Sequence, residues 1–163
     1  VLDCSNGAAS AVAPTLFDHL GADLTVLHNE PNGININHNC GSEHPEQLRR
    51  KVLETGAEVG LAFDGDADRL IAVDDSGAVL TGDQLLAIGA RFLSRRGQLW
   101  NDVVVSTVMS NIGLKEALKS LGIRHLASEV GDRYVMERLL QYLGMAGFQP
   151  GSRETARPGA AIG

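Results

Sequence analysis

One stretch decides how this chain is organised: Gly60-Leu61-Ala62-Phe63-Asp64-Gly65-Asp66-Ala67-Asp68-Arg69. Its first half is apolar and predicts a buried strand, and its second half places three aspartates at alternate positions before an arginine. In an extended segment, alternate residues face the same side about 6–7 Å apart. A slight turn at Gly65 and Ala67 would let the three carboxylates converge. We therefore expect Asp64, Asp66 and Asp68 to lie together at the end of a strand.

A cluster of three carboxylates is unfavourable unless a cation lies among them. Two unit charges about 4 Å apart repel by roughly 4 kcal/mol at the effective dielectric of a protein surface. Hard oxygen ligands suit Mg²⁺ or Ca²⁺, and Mg²⁺ prefers a few carboxylates completed by water and a substrate phosphate. Arg69 adds a fixed positive charge that suits a phosphate. Residues 64–69, the aspartate loop, therefore predict a Mg²⁺ site, and the alternative is a solvated acidic turn of the kind that Asp-Gly pairs often form.

Two other functions of the aspartate loop stay open from the residues alone. A haloacid-dehalogenase-like phosphatase would use Asp64 as nucleophile with Asp66, but it expects Thr or Val where Asp68 stands. A helix-flanked calcium loop needs Gly at its sixth position and Glu at its twelfth. Here those positions hold Arg69 and Asp75, so both patterns fit less well than a Mg²⁺ and phosphate site.

Composition narrows the class of protein. The 163 residues are 44% hydrophobic and 21% charged, with a formal net charge of -6, which is typical of a globular domain. We expect no nucleic-acid partner, because the balance is acidic and no basic stripe is present. No apolar run approaches the roughly 20 residues of a membrane helix, so no membrane partner is expected. Cys4 and Cys40 lack metal-type spacing, which favours a reduced, cytoplasmic setting.

The order of strand and helix patterns predicts an α/β protein. We expect two consecutive three-layer α/β units with mixed sheets, the second truncated. The first unit is predicted at residues 1–97 and the second at residues 98–148, with the boundary in a polar stretch around residues 95–102. Residues 149–163 have no apolar period and predict a disordered or aberrant tail. Because Val1 is not an initiator methionine, the sequence is interpreted as an internal piece of a longer protein.

Several stretches together resemble the α-D-phosphohexomutase family. They are residues 3–8, 30–37, 64–69, 109–114 and 130–135. The resemblance extends from Val1 to about residue 143. Residues 30–37 are similar in particular to the branch that acts on glucosamine phosphate, whereas the relatives that act on glucose or mannose phosphate differ there. Those relatives remain the alternative within the family.

The resemblance implies an isomerase that moves a phosphoryl group between the 6- and 1-positions of glucosamine phosphate for amino-sugar synthesis. It implies a phosphoserine donor, a bisphosphate intermediate, and Mg²⁺ held by Asp64, Asp66 and Asp68. Arg69 is implied as the catalytic contact to a phosphoryl oxygen.

For Gly131, Asp132 and Arg133 the resemblance implies substrate binding. From the residues alone, Asp132 and Arg133 are better interpreted as a surface ion pair, which contributes little energy.

Members of that family have four domains, and this chain resembles the second and the first part of the third. The phosphoserine of domain one and the phosphate-binding loop of domain four are not within these residues, so we expect the isolated chain to be inactive. The family's Gly-Glu-x-Ser-Gly-His sugar loop is not matched by Gly151-Ser152-Arg153-Glu154-Thr155-Ala156-Arg157. A frame shift or damaged gene end near residues 147–151 is our hypothesis for this difference.

Overall fold

A computed structural model of the protein describes residues 1–142 and the backbone of residues 160–162. The chain divides into two compact units, Val1–Thr81 and Gly82–Gly163. Both units combine helices with a sheet, so the predicted α/β class is confirmed. The division falls one helix earlier than the boundary that the sequence predicted after residue 97.

The first unit contains a five-stranded mixed sheet with two α-helices. In chain order its elements are β1 (Leu2–Asp3), a 3-10 turn (Ala8–Ala11), α1 (Ala13–His19), β2 (Val26–Leu27), α2 (Glu46–Thr55), β3 (Val59–Phe63), β4 (Leu70–Asp74) and β5 (Val79–Leu80). The strand order is β2-β1-β3-β4-β5. Strand β1 is parallel to β2 and β3, whereas β3, β4 and β5 run antiparallel to one another.

The two helices of the first unit cover opposite faces of its sheet. On one face, α1 and the 3-10 turn pack on Leu2, Cys4, Leu61 and Phe63. On the other, the side chains that pack together are Val1, Leu48, Val52, Ala62 and Val73. Consecutive strand residues point to opposite faces, so β2 and β3 each contribute to both clusters. This arrangement is the predicted three-layer unit.

The second unit is built around β6 (Leu99–Thr107). Its other elements are α3 (Gly82–Arg95), α4 (Ile112–Ser120), β7 (Arg124–Ser128), α5 (Asp132–Tyr142) and β8 (Ala160–Ile162). The described strands are all parallel, in the order β7-β6-β8, so the mixed sheet predicted for this unit is not seen among them. The core contains Ala90, Leu99, Val104, Leu114, Leu118 and Ile123. Because Ala90 belongs to α3, that helix is part of this second core, and the predicted boundary after residue 97 is therefore corrected to Thr81.

Most of the predicted tail lies outside the described residues. The exception is β8, which pairs in parallel with β6 through Ala160 opposite Leu99 and Ile162 opposite Val104. The prediction of disorder is wrong for these three residues, because a short apolar run there adds to the edge of β6. No helix in the part of the chain that the structure describes is long and apolar enough to span a membrane.

Candidate active site

The aspartate loop joins the antiparallel strands β3 and β4. It lies at the edge of the first sheet that is formed by the carboxyl ends of β1, β2 and β3. Phe63, the last residue of β3, lies opposite Leu70, the first residue of β4. The Asp64 N–H donates to the Arg69 carbonyl oxygen at 3.3 Å, and the Ala67 N–H donates to the Asp64 carbonyl oxygen at 3.1 Å. The loop is therefore a closed turn rather than an extended segment. Strands flank it on both sides, so the helix-flanked calcium loop that the sequence left open is not formed.

Asp64 is the buried member of the loop. Only 4% of the residue is exposed, and both carboxylate oxygens accept hydrogen bonds from Arg69. The backbone N–H of Arg69 reaches Oδ1 at 3.2 Å, and the guanidinium Nε reaches Oδ2 at 2.9 Å. Burial acts to raise the pKa of the Asp64 carboxyl, but the hydrogen bonds, chiefly those from Arg69, outweigh it and leave the pKa below its usual value. Asp64 is thus a fixed carboxylate at neutral pH.

Asp66 and Asp68 are the exposed members of the loop. The hydrogen bond and negative charge of Asp64 raise the pKa of Asp68, and the charge of Asp66 adds to this rise. The structure therefore brings Asp64 and Asp68 side by side, with mutual repulsion that a cation would relieve. The full convergence of three carboxylates that the sequence predicted is not reached. In the described chain, a group whose ligand atoms all lie within 4.8 Å of one another is found instead at Asp3, His28 and Cys40.

Arg69 is held by acidic groups but keeps most of its side chain in solvent. Its side chain is 64% exposed, with Nη1 3.5 Å from a carboxylate oxygen of Glu43 and Nε 3.8 Å from one of Asp68. The adjacent Asp64 raises the pKa of the guanidinium, which stays charged. Glu43 was not foreseen as a neighbour of this site, because it lies far from the loop in sequence and no motif marks it.

Two further loops at the same edge of the sheet pack against the aspartate loop. The Ala8 N–H donates to the Gly65 carbonyl oxygen at 2.8 Å. A β-carbon added to Gly65 would lie 2.7 Å from Nδ2 of Asn37 and 2.8 Å from a side-chain carbon of Ile36. Parallel strands β1, β2 and β3 all end at this edge, which explains why loops distant in sequence meet here.

The predicted sugar-binding residues lie in the second unit. Gly131 has a left-handed φ of 134°, and its carbonyl oxygen accepts the N–H groups of Tyr134 and Val135 at the start of α5. Asp132 is exposed at the first position of that helix. Arg133 is 82% exposed and donates from Nε to Oε1 of Glu137 at 2.7 Å, one helical turn away. Arg133 thus makes a surface ion pair, but with Glu137 rather than with Asp132.

Two sequence models of one family match nearly the whole described chain. The model described as phosphoglucomutase/phosphomannomutase, alpha/beta/alpha domain II, matches residues 1–77, and that of domain III matches residues 81–148. The chain belongs to the phosphoglucomutase/phosphomannomutase family. These matches confirm the predicted family and agree with the structural division at Thr81.

Several curated proteins of the family are more than half identical to this chain over the aligned residues. The phosphoglucosamine mutase of Syntrophobacter fumaroxidans is 60% identical over 137 residues, covering 84% of this chain and 30% of that protein. The phosphoglucosamine mutase of Syntrophus aciditrophicus is 57% identical over 139 residues, covering 85% of this chain and 31% of that protein. The chain thus spans about a third of the length of the curated relatives it matches.

Solved structures of the family share the fold. A phosphoglucomutase/phosphomannomutase family protein from Burkholderia thailandensis superposes with a TM-score of 0.76 at 28% identity, over 88% of this chain and 31% of that one. An N-acetylglucosamine-phosphate mutase in its apo form superposes with a TM-score of 0.66 at 22% identity, over 86% of this chain and 34% of that one. At that identity the second likeness concerns the fold alone.

Proposed function

We propose that this chain forms the metal-binding domain and part of the sugar-binding domain of a phosphoglucosamine mutase. The enzyme would interconvert glucosamine 6-phosphate and glucosamine 1-phosphate through a phosphoserine and a bisphosphate. The observation on which this rests is the aspartate loop, where a buried carboxylate holds an exposed arginine beside two further carboxylates. The high identity to curated phosphoglucosamine mutases supports this sugar over glucose or mannose.

The donor set of the loop fits Mg²⁺. Asp64, Asp66 and Asp68 offer only carboxylate oxygens, which a hard cation prefers. The repulsion that raises the pKa of Asp68 is the feature that such an ion would neutralise. When bound, Mg²⁺ would supply Lewis-acid stabilisation of a transferring phosphoryl group. Asp66 and Asp68 are open to solvent, so these two are the accessible ligands in the present arrangement of side chains.

Arg69 would contact a phosphoryl oxygen, and Asp64 would position it. Phosphoryl transfer is catalysed mainly by positioning and by neutralising charge. Because Asp64 binds the Nε edge of the guanidinium, the side chain is oriented while most of it remains exposed. An arginine held in this way loses less side-chain freedom when it binds a phosphate.

The start of α5 would contribute sugar contacts. Gly131 turns the chain so that Asp132 lies at the first position of the helix. A carboxylate there can accept hydrogen bonds from sugar hydroxyls, and Arg133 can exchange its exposed ion pair for a substrate oxygen. Exposed ion pairs contribute little stability, so Arg133 loses little when it gives up this one.

The remaining parts of the mechanism would lie outside these residues. The phosphoserine and the phosphate-binding loop would be supplied by the first and fourth domains of the enzyme. We propose a reducing, cytoplasmic compartment for it, because Cys4 and Cys40 are both free thiols.

A chimera tests the proposed function directly. Residues 1–142 would replace the matching segment of the Syntrophobacter phosphoglucosamine mutase, which supplies the other domains. We expect the chimera to isomerise glucosamine 6-phosphate far faster than glucose 6-phosphate in a coupled assay. A folded chimera with no preference for the amino sugar would contradict the proposal.

The metal assignment is tested by titration calorimetry with Mg²⁺. Asp66→Asn removes one carboxylate charge and should lower Mg²⁺ affinity at least tenfold in the chimera. Asp75→Asn is the matched control, because Asp75 is also an exposed turn aspartate of the same unit but lies outside the loop. Equal affinities of the two variants would rule out the assignment.

A further inference from the structure

A second group of metal-type side chains lies beside the aspartate loop, in the same unit. Asp3 ends β1, His28 follows β2, and Cys40 lies between β2 and α2. One ligand atom from each lies within 4.8 Å of the other two. None of these residues has a role in the phosphohexomutase function proposed above.

Asp3 is fully buried and rigidly held. Its Oδ1 accepts the Ser5 N–H at 2.9 Å, and its Oδ2 accepts the Gly41 N–H at 3.1 Å. Nδ1 of His28 lies 3.0 Å from the same Oδ2, but this buried nitrogen makes no hydrogen bond there or with any other described group. A buried polar atom without a hydrogen bond is unfavourable. The ring nitrogen thus lies at ion-pair distance from the carboxylate without hydrogen-bond geometry, an arrangement that a shared cation would satisfy.

Cys40 completes the group as a free thiol that is only 1% exposed. Burial raises the pKa of this thiol, and the nearby charge of Asp3 raises it further. Without a cation the sulfur is therefore protonated. A bound metal reverses this preference, because thiolate is the form that ligates and its proton is released on binding.

We propose that Asp3, His28 and Cys40 form a binding site for a borderline or soft divalent ion such as Zn²⁺, separate from the hard-ion site of the aspartate loop. One carboxylate oxygen, one imidazole nitrogen and one thiolate sulfur are each established zinc ligands. Ligands about 2.0–2.3 Å from a tetrahedral ion lie roughly 3.3–3.8 Å from one another. The ligand atoms of Asp3, His28 and Cys40 lie within 4.8 Å of one another, so each pair needs to approach by at most about 1.5 Å.

His28 is the member of the group that borders solvent. The His28 side chain is 20% exposed and lines an open cavity of about 690 Å³ together with Asn6 and residues 29–32 and 35. Water in this cavity would supply the fourth ligand, as in zinc sites with three protein ligands. The bound ion would clamp the segment from His28 to Cys40, which includes the Ile36 and Asn37 side chains that pack on Gly65.

Cobalt is the probe that separates this site from the aspartate loop, because thiolate ligation gives an intense sulfur-to-cobalt absorption band. We expect the 163-residue chain to bind one equivalent of Co²⁺ with this band in excess Mg²⁺, and Zn²⁺ to displace it. Cys40→Ser should abolish the band. His28→Asn should weaken binding at least tenfold, because loss of even an outer-shell partner costs about 10–100-fold. Asn also tolerates the left-handed φ of 48° at this position.

Two controls make the test specific. Cys4→Ser removes the other buried thiol, and Asp66→Asn weakens the aspartate loop, and both should keep the cobalt band. Circular dichroism of each variant checks folding, and His28→Asn decides the question if Cys40→Ser unfolds. Absence of the band in the unmodified chain, or unchanged affinity in His28→Asn, would overturn the proposal. Neither result would affect the proposed mutase function, which does not depend on this site.

Discussion

A β-carbon on Gly7 would lie 2.3 Å from the carbonyl oxygen of Gly65. The turn after β1 and the aspartate loop therefore touch through their backbones, and the Ala8 N–H donates to that same oxygen at 2.8 Å. The contact exists because Gly7 lacks a side chain at the point where the loops meet.

The first prediction follows from this contact. Gly7→Ala should lower the free energy of unfolding by about 2 kcal/mol or more, because backbone atoms rather than a flexible side chain must move. Urea denaturation measures this change. Gly82→Ala is the control, since an added β-carbon there meets nothing within 4 Å, and it should be neutral or slightly stabilising. Equal stability of the two variants would show that the loops are not in contact.

The second prediction concerns Ala67, which has a left-handed φ of 60° in the exposed part of the aspartate loop. Ala67→Gly should raise the free energy of unfolding by about 0.5–1 kcal/mol, because glycine adopts this conformation without a β-carbon penalty. Ala72→Gly in β4 should have the opposite sign, since Ala72 is buried in a regular strand. Thermal denaturation compares the two, and a destabilising Ala67→Gly would contradict the conformation of the loop.

The sequence predicted the parts of the site that depend on neighbours along the chain. An apolar run followed by turn residues was enough to place β3 and the aspartate loop at its end, and the family matches confirm the fold around them. Arg69 and Asp64, which bond to each other, are also close along the chain. Arg69 was nevertheless assigned only to a phosphate, because an alternating pattern shows which residues share a side and not which of them bond.

Features that depend on the pairing of distant strands were not predictable. Asp3 and His28 meet because β1 and β2 are parallel neighbours with Asp3 opposite Leu27, a register that residue spacing does not reveal. Polarity also misplaced the domain boundary. The polar stretch around residues 95–102 predicts a domain boundary, but Asn101 and Asp102 are exposed positions inside β6 with left-handed φ values of 50° and 48°.

The third prediction is a shift in acid stability on removal of Arg69. The pKa of Asp64 is depressed in the folded state, so its stabilising contribution is complete above about pH 4 and is lost as the pH falls through the folded value. Arg69→Gln removes the guanidinium but leaves Asp64 buried, which raises the folded pKa. Acid unfolding followed by circular dichroism should therefore begin at a higher pH. Arg133→Gln, which removes an exposed arginine paired with Glu137, should leave the midpoint unchanged, and a similar shift in both variants would exclude a specific role for Arg69.

The fourth prediction concerns His125, whose Nε2 lies 2.7 Å from the Ser106 hydroxyl oxygen inside the second sheet. Burial, helped by the charge of Lys115, lowers the pKa of His125 in the folded state. As the pH falls below about 6.5, the unfolded chain binds a proton that the folded chain does not yet bind. Stability is therefore lost through this window and levels off once the folded histidine also titrates.

His125→Gln keeps a hydrogen-bonding side chain but removes the titration, so its melting temperature should fall less between pH 7 and about pH 5 than that of the unmodified chain. His19→Gln, at an exposed position at the end of α1, is the control and should follow the unmodified chain. Calorimetric scans across this pH range measure the difference. The same pH dependence in the His125 variant and the unmodified chain would mean that protonation of His125 does not oppose folding, and the partly buried contact with Ser106 would then have no influence on acid sensitivity.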